Sequence, residues 1–255
     1  MLEYLWLVPL GFVAGVLGSM IGLGGGFVIV PALTFAGYSP TLAASDSLFA
    51  AFCNAVASTV SYARQKRIMY SLGIKLALLS IPGTVLGAYI SDSISPPMFK
   101  LLFGFVLVAS SVYIYSKRKM EPREYNISKQ VMVLAIGSSF FAGIVSSLFG
   151  IGGGTVFVPL MVVAIGLSMK IAAPTSQFIL MFAAASGMIV HSLLGHPDYL
   201  EAGLLSVGAF VGGIVGSKMS LKVSEGKLRV LVTMILALTS AKLFYDAFSS
   251  HTKLL

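Results

Sequence analysis

Two glycine clusters carry the residues whose types and spacing point most directly to chemistry. Gly22, Gly24, Gly25 and Gly26 occupy four of five positions in GSMIGLGGGFVIVPAL, residues 18–33, and Gly150, Gly152, Gly153 and Gly154 repeat the pattern. Glycine permits the positive backbone angles of a tight turn and lets a ligand approach the main chain. A chain that turns there and resumes as a helix presents the N–H groups of its first helical turn and the positive end of its dipole. The ligand suited to such a terminus is an anion. One terminus contributes only about 0.3–1 kcal/mol, so two termini and side-chain donors are needed to offset the dehydration of an oxyanion. Phe27 and Thr155 are the first side chains after the glycines, and neutral donors follow: Ser47 and Asn54 in the first half, Thr175, Ser176 and Gln177 in the second.

Each of these residues also has a plainer reading. Ser47, Thr175, Ser176 and Gln177 suit the N-cap of an ordinary helix. Asn54 suits a bond to a neighbouring helix, and the glycines suit close helix packing. Asp46 is an acid near the outer end of its apolar run, where it is either a solvated cap or the carrier of a coupling proton. His191 is a second candidate for proton coupling beside an ordinary interfacial role. Other chemistry has little to work with. GLGGGF lacks the Lys-Ser/Thr of a phosphate-binding P-loop. His191, His196 and His251 form no pair at helical ligand spacing, and Cys53 is the single cysteine. No catalytic residue, metal or cofactor is expected, and the chain is not read as an enzyme.

The elements that must position these residues lie in a membrane. Of 255 residues, 57% are hydrophobic and 10% charged, with a mean hydropathy of +0.94, which excludes a soluble domain with a charged surface. The net charge of +8 resides in bases between apolar runs, so it follows the topology rule for cytoplasmic loops and not nucleic-acid binding. MLEYLWLVPL lacks the basic start of a signal peptide, and the first segment is expected to be retained.

FVAGVLGSMIGLGGGFVIVPAL (residues 12–33) aligns without gaps on FFAGIVSSLFGIGGGTVFVPLM (140–161), with eleven identities in twenty-two positions. With one inserted residue the match continues, pairing Ser47 with Ser176, Gly83 with Gly212 and Gly87 with Gly216. The apolar runs are 4–37, 42–63, 71–91 and 97–116, then 129–167, 171–194, 199–217 and 228–248. The first would make a helix of roughly 50 Å against a hydrocarbon core of about 30 Å. It must break or fold back.

Charge indicates which. Arg64, Lys66 and Arg67, the cluster from Lys117 to Lys129, and Lys218, Lys222, Lys227 and Arg229 should be cytoplasmic. The basic loop RQKR then occupies the place that GHPDYLE holds in the other half, so corresponding loops lie on opposite sides. That is an inverted repeat, and it needs an odd number of crossings per half. The expected fold is an all-α polytopic membrane protein of two inverted repeats, each a glycine-tipped broken-helix hairpin plus three transmembrane helices. One membrane transport domain, residues 1–255, divides into repeat 1 (4–116), a cytoplasmic linker (117–129) and repeat 2 (130–249). Both termini fall outside, the return arms reach halfway across, and the two tips meet near the midplane. Gly83/Gly87 and Gly208/Gly212/Gly216 have small-xxx-small spacing and read as helix contacts, with a homodimer seam as a further use.

The paired GLGGGFVIVPAL and GIGGGTVFVPLM, followed by AASDSL and AAPTSQF and by IPGTVLGAY and FVGGIVGSK, resemble the sulfite exporter TauE/SafE family of membrane permeases over nearly the whole chain. The resemblance implies transport of sulfur-containing anions such as sulfite, thiosulfate or organosulfonates across the bacterial inner membrane. Together these readings give a secondary transporter working by alternating access, with substrate between the two glycine breaks. Its partners are the anion and the lipid bilayer. A passive anion channel and a membrane scaffold or receptor are the alternatives.

Overall fold

The computed structural model describes residues 4–116 and 129–252, so most of the basic linker 117–129 lies outside the described residues. All regular structure there is helical: α1 (Leu7–Ile21), α2 (Gly26–Phe35), α3 (Pro40–Arg64), α4 (Tyr70–Ser91), α5 (Pro96–Ser116), α6 (Lys129–Leu148), α7 (Gly154–Pro159), α8 (Met169–Leu193), α9 (Tyr199–Lys222) and α10 (Glu225–Thr252). After α7 the chain widens into a π-helical turn, Leu160–Ala164. Pro159 precedes it and supplies no N–H to the ladder, a recognised cause of such irregularity. Every apolar run therefore contains helix, and the two long ones break at their glycines into α1–α2 and α6–α7. Tyr70–Ser91, Gln130–Leu148, Met169–Leu193 and Tyr199–Lys222 are long and apolar enough to cross a membrane. α3 is as long as α8, at 25 residues, but its serines, threonines and Asn54 make it less apolar.

Small residues decide how the helices meet. Gly208, Gly212 and Gly216 of α9 lie on the backbone of Val8, Phe12 and Val16 in α1, while Gly11 and Gly15 of α1 lie on Leu205 and Ala209. Residue numbers rise together along this seam, so α1 and α9 run parallel. Gly83 and Gly87 of α4 meet Phe140 and Ile144 of α6, and Gly143 meets Ser80, again in parallel. A Cβ at any of these glycines would overlap main-chain atoms of the partner helix, so the small-xxx-small seams are contacts inside one chain. They are therefore not the free faces that a dimer seam requires. By contrast α3 and α8 run antiparallel, with Leu48 beside Gly187 and the Ser58 hydroxyl donating to Gln177 Oε1 at 3.2 Å. α5 and α10 are antiparallel too, with Gly104 beside Phe244 and Ser111 Oγ donating to the Thr233 carbonyl at 3.1 Å. Large apolar side chains such as Phe105, Phe141, Leu193 and Leu238 point outward and are more than half exposed, as suits surfaces turned to lipid.

Candidate functional site

The two glycine turns are built alike. Gly22, Gly24 and Gly25 have φ of 81°, 84° and 90°, and Gly150, Gly152 and Gly153 have 66°, 69° and 78°. A side chain at any of these six positions would cost about 1–2 kcal/mol of backbone strain. Gly25 and Gly153 are the N-caps of α2 and α7, so the first-turn N–H groups of each return arm lie at the turn. The fourth glycine of each cluster has another reason. A Cβ on Gly26 would overlap the Gly150 carbonyl and Ile151 Cα, and one on Gly154 would overlap the Gly22 carbonyl and Leu23 Cα. The turns abut through their backbones.

Two hydrogen bonds cross between the halves in exchange. Ser47 Oγ donates to the Gly150 carbonyl at 2.7 Å, and Ser176 Oγ donates to the Gly22 carbonyl, also at 2.7 Å. Both serines are fully buried. Their hydroxyls tie each long helix to the opposite turn and are not N-caps: Ser39 begins α3 by accepting from Leu42 N–H, and Ser168 precedes α8. Leu180 lies beside both Gly24 and Gly152, and Ala51 beside Gly152. Each is the twelfth of 25 residues in its helix, counted from Met169 and from Pro40, so the turns sit at mid-length of α3 and α8. We expect Ser47→Ala and Ser176→Ala each to lower thermal stability in detergent by about 1–3 kcal/mol, because each strands a buried carbonyl. Unchanged stability in either variant would contradict this role.

The other donors divide into bonded and unbonded groups. Gln177 Nε2 donates to the Gly18 carbonyl at 2.8 Å while Oε1 accepts from Ser58. Thr175 Oγ1 accepts from Met69 N–H at 3.1 Å and donates to the Ile171 carbonyl. These two side chains join α8 to the first hairpin and to the start of α4. Pro174 lies within α8 without ending it. Asn54 is different: it is fully buried, one turn from Ser58 towards mid-length of α3, and neither amide atom has a partner. The hydroxyls of Thr155, Ser146 and Ser147, around the second turn, are also buried without partners. Buried polar atoms left in this way cost free energy, and a polar ligand or water would satisfy them.

Behind each return arm lies a cavity of similar size. One, about 400 Å³, is lined by Val145, Thr155, Val156, Pro159 and Leu160 with Ser110 and Ser138. The other, about 410 Å³, is lined by the matching Leu17, Phe27, Val28, Pro31 and Ala32 with Lys242. Phe27, fully buried, stands where the second half has Thr155, so the two cavities share a frame but differ in polarity.

The ends of the bundle hold groups that residue spacing did not bring together. At one end Arg67 donates to the Lys170 carbonyl at 2.8 Å and to Ser220 Oγ at 3.0 Å. Tyr62 donates to the Ser19 carbonyl at 2.7 Å. At the other end Asp46 is fully buried, not a solvated cap. Its Oδ1 accepts from Asp198 N–H at 3.0 Å, and its Oδ2 has no partner. Beside it Tyr38 donates to Glu201 Oε1 at 3.2 Å. Burial and that carboxylate push the phenol up to about 12, so it stays a donor at neutral pH. His191, also fully buried, contacts His196 and the Ser147 carbonyl. The signal for His196 is the run HSLLGH: Gly195, at φ 75°, ends α8 and turns the chain back. Among the described residues no group of three His, Cys, Asp or Glu side chains is arranged to hold a metal ion.

Comparison with known proteins finds probable membrane transporters. The chain is 31% identical to the probable membrane transporter protein YunE of Bacillus subtilis (strain 168), over 98% of this chain and 100% of that one. It is 28% identical to the probable membrane transporter protein MJ0441 of Methanocaldococcus jannaschii, over 92% and 94%. With the probable membrane transporter protein YfcA of Escherichia coli (strain K12) it shares 22% identity, over 92% and 87%. The model of one family, described as sulfite exporter TauE/SafE, matches residues 7–243. With a match of that extent, the chain belongs to the sulfite exporter TauE/SafE family of membrane transport proteins.

Proposed function

We propose that this protein is a secondary transporter that moves small sulfur-containing anions, such as sulfite, thiosulfate or organosulfonates, across the bacterial cytoplasmic membrane by alternating access. The whole chain is one transport domain of two inverted repeats, 4–116 and 130–249, and substrate binds at the two glycine turns. The observation that carries this reading is the exchange of bonds between the halves, Ser47 to Gly150 and Ser176 to Gly22. Their matching helices α3 and α8 run antiparallel, the relation expected of a two-fold axis in the membrane plane. Opposed helix N-termini at mid-length of α3 and α8, beside unpartnered donors, suit an anion. Because the turns abut, an anion can pass between them only if they part, and that is the motion alternating access provides. The sulfur chemistry is taken from the family's name.

The same reading orients the molecule. Arg64 and Lys218 line one cavity of about 460 Å³, close to Arg67, and this basic end faces the cytoplasm. The end with Asp92, Asp198 and Glu201 faces outward, along with both termini. A topology reporter fused after Tyr38, at the base of the first hairpin, is therefore expected to read as periplasmic. A cytoplasmic signal there would contradict the inverted arrangement.

The substrate class is tested by thermal stability of the purified protein in detergent against sulfite, sulfate, thiosulfate, sulfoacetate, taurine, acetate and chloride. A ligand of the folded state raises stability with concentration. A dose-dependent rise with a sulfur anion and none with acetate or chloride is expected. An equal response to every anion, or to none, would contradict the assignment.

A further inference from the structure

Two imidazoles and two acceptors form a continuous line at the acidic end of the bundle. His191 Nε2 meets the Ser147 carbonyl at 3.2 Å, His191 Nδ1 meets His196 Nδ1 at 2.8 Å, and His196 Nε2 meets the Asp92 carboxylate at 2.9 Å. The backbone explains why the rings meet. His196 N–H donates to the His191 carbonyl and Gly195 N–H to the Ser192 carbonyl, the paired bonds of a Schellman turn. Such a turn sets the side chain three residues inside the helix end against the second one beyond it. Here both are histidines.

A count of ring protons decides the state of the pair. A backbone carbonyl can only accept, so His191 Nε2 must carry a hydrogen. An ionised carboxylate can only accept, so His196 Nε2 must carry one as well. The contact between the two Nδ1 atoms needs one hydrogen more. Three of the four ring nitrogens are then protonated, whereas two neutral imidazoles supply only two hydrogens. We infer that His191 and His196 are a proton-binding site that holds one proton between them, tying the outer end of α8 to the second glycine turn and to the α4–α5 connection.

The surroundings fit a single shared cation. Ser147 is the penultimate residue of α6, so its carbonyl is among the last four of that helix, where the dipole favours positive charge. Asp92 is half exposed and connects the line to water, while the His196 side chain is about one-tenth exposed and His191 is enclosed. The other charged groups at this corner hold contacts of their own, although Asp46 Oδ2 and Glu201 Oε2 have none. The Asp198 carboxylate accepts from the N–H groups of Leu200 and Glu201. Asp46 on α3 accepts from Asp198 N–H, and Glu201 on α9 accepts from Tyr38. Tyr199 packs its ring on Phe49. Losing the proton would leave two acceptors facing each other at one of the three contacts, so the Ser147 contact, the contact between the rings or the Asp92 contact must open. Opening at Ser147 releases the C-terminus of α6, which leads straight into Gly150–Gly154. A role in driving transport rests on the carrier reading above; the proton count does not.

The count is measured directly by nitrogen NMR of the detergent-solubilised protein labelled with ¹⁵N-histidine, in a His251→Gln background so that only this pair reports. At about pH 6, near the ordinary histidine range, three protonated ring nitrogens are expected. As pH rises the count should fall to two in one step seen by both rings, at a midpoint lowered by Asp92→Asn. In His196→Gln the His191 ring should carry one proton at the same pH. Two or four protonated nitrogens in the pair at about pH 6, or two rings titrating independently, would overturn the site whatever the protein transports.

Discussion

Alanine in place of Gly26 or Gly154 is expected to reduce substrate movement by roughly tenfold or more, although alanine is the better helix former. Both glycines open a helix with ordinary negative φ, so local propensity alone would favour the change by up to about 1 kcal/mol. The added methyl at Gly26 meets the Gly150 carbonyl, Ile151 Cα and Ser47 Oγ, and that at Gly154 meets the Gly22 carbonyl and Leu23. Overpacking of this kind costs about 1–3 kcal/mol, and backbone atoms cannot rotate aside. Gly137→Ala, in α6 with nothing within 4 Å of the added carbon, is the control and should leave transport unchanged. Substrate flux and thermal stability measured on the same preparations check the result. Normal flux in Gly26→Ala would mean that contact between the turns plays no part in the cycle.

The second large effect has the opposite sign in stability. Asn54→Ala removes a fully buried amide with no partner on either atom, so the folded protein should be unharmed or stabilised, against the usual trend for core truncation. Substrate affinity should fall about tenfold or more, as when a buried ligand loses a hydrogen-bonding group. Gln177→Leu is the contrast. Its amide bridges the Gly18 carbonyl and Ser58, so stability should drop by about 1–3 kcal/mol. Thermal melts with and without substrate separate the two cases. An Asn54→Ala protein that melts lower yet binds normally would make Asn54 a packing residue.

Much of this architecture was legible in the sequence because its signals are local. A left-handed backbone favours glycine, so Gly24 and Gly152 mark turns, and apolar length fixes the helices around them. The same locality hid other features. Gly26 and Gly154 look like further turn glycines, but their constraint comes from a chain segment more than a hundred residues away. Ser47 and Ser176 suit a cap as well as a substrate contact because each lies near the start of an apolar run, yet α3 and α8 begin earlier, at Pro40 and Met169. For Asp46 the sequence leaves a solvated cap open beside a proton carrier, because no spacing rule shows that Asp198 N–H bonds to it. His191 and His196 are five apart, which is no ligand spacing on a helix. The helix ends between them, and only the turn at Gly195 makes them neighbours.

The proposed path of the anion runs where the two glycine turns meet. It is tested most directly by counterflow in proteoliposomes, with radiolabelled thiosulfate or sulfite outside and the unlabelled anion inside. Saturable uptake that depends on the trapped anion and is lost in Gly154→Ala is expected. Flux that rises linearly with concentration, ignores the trapped anion, or persists unchanged in Gly154→Ala would contradict it.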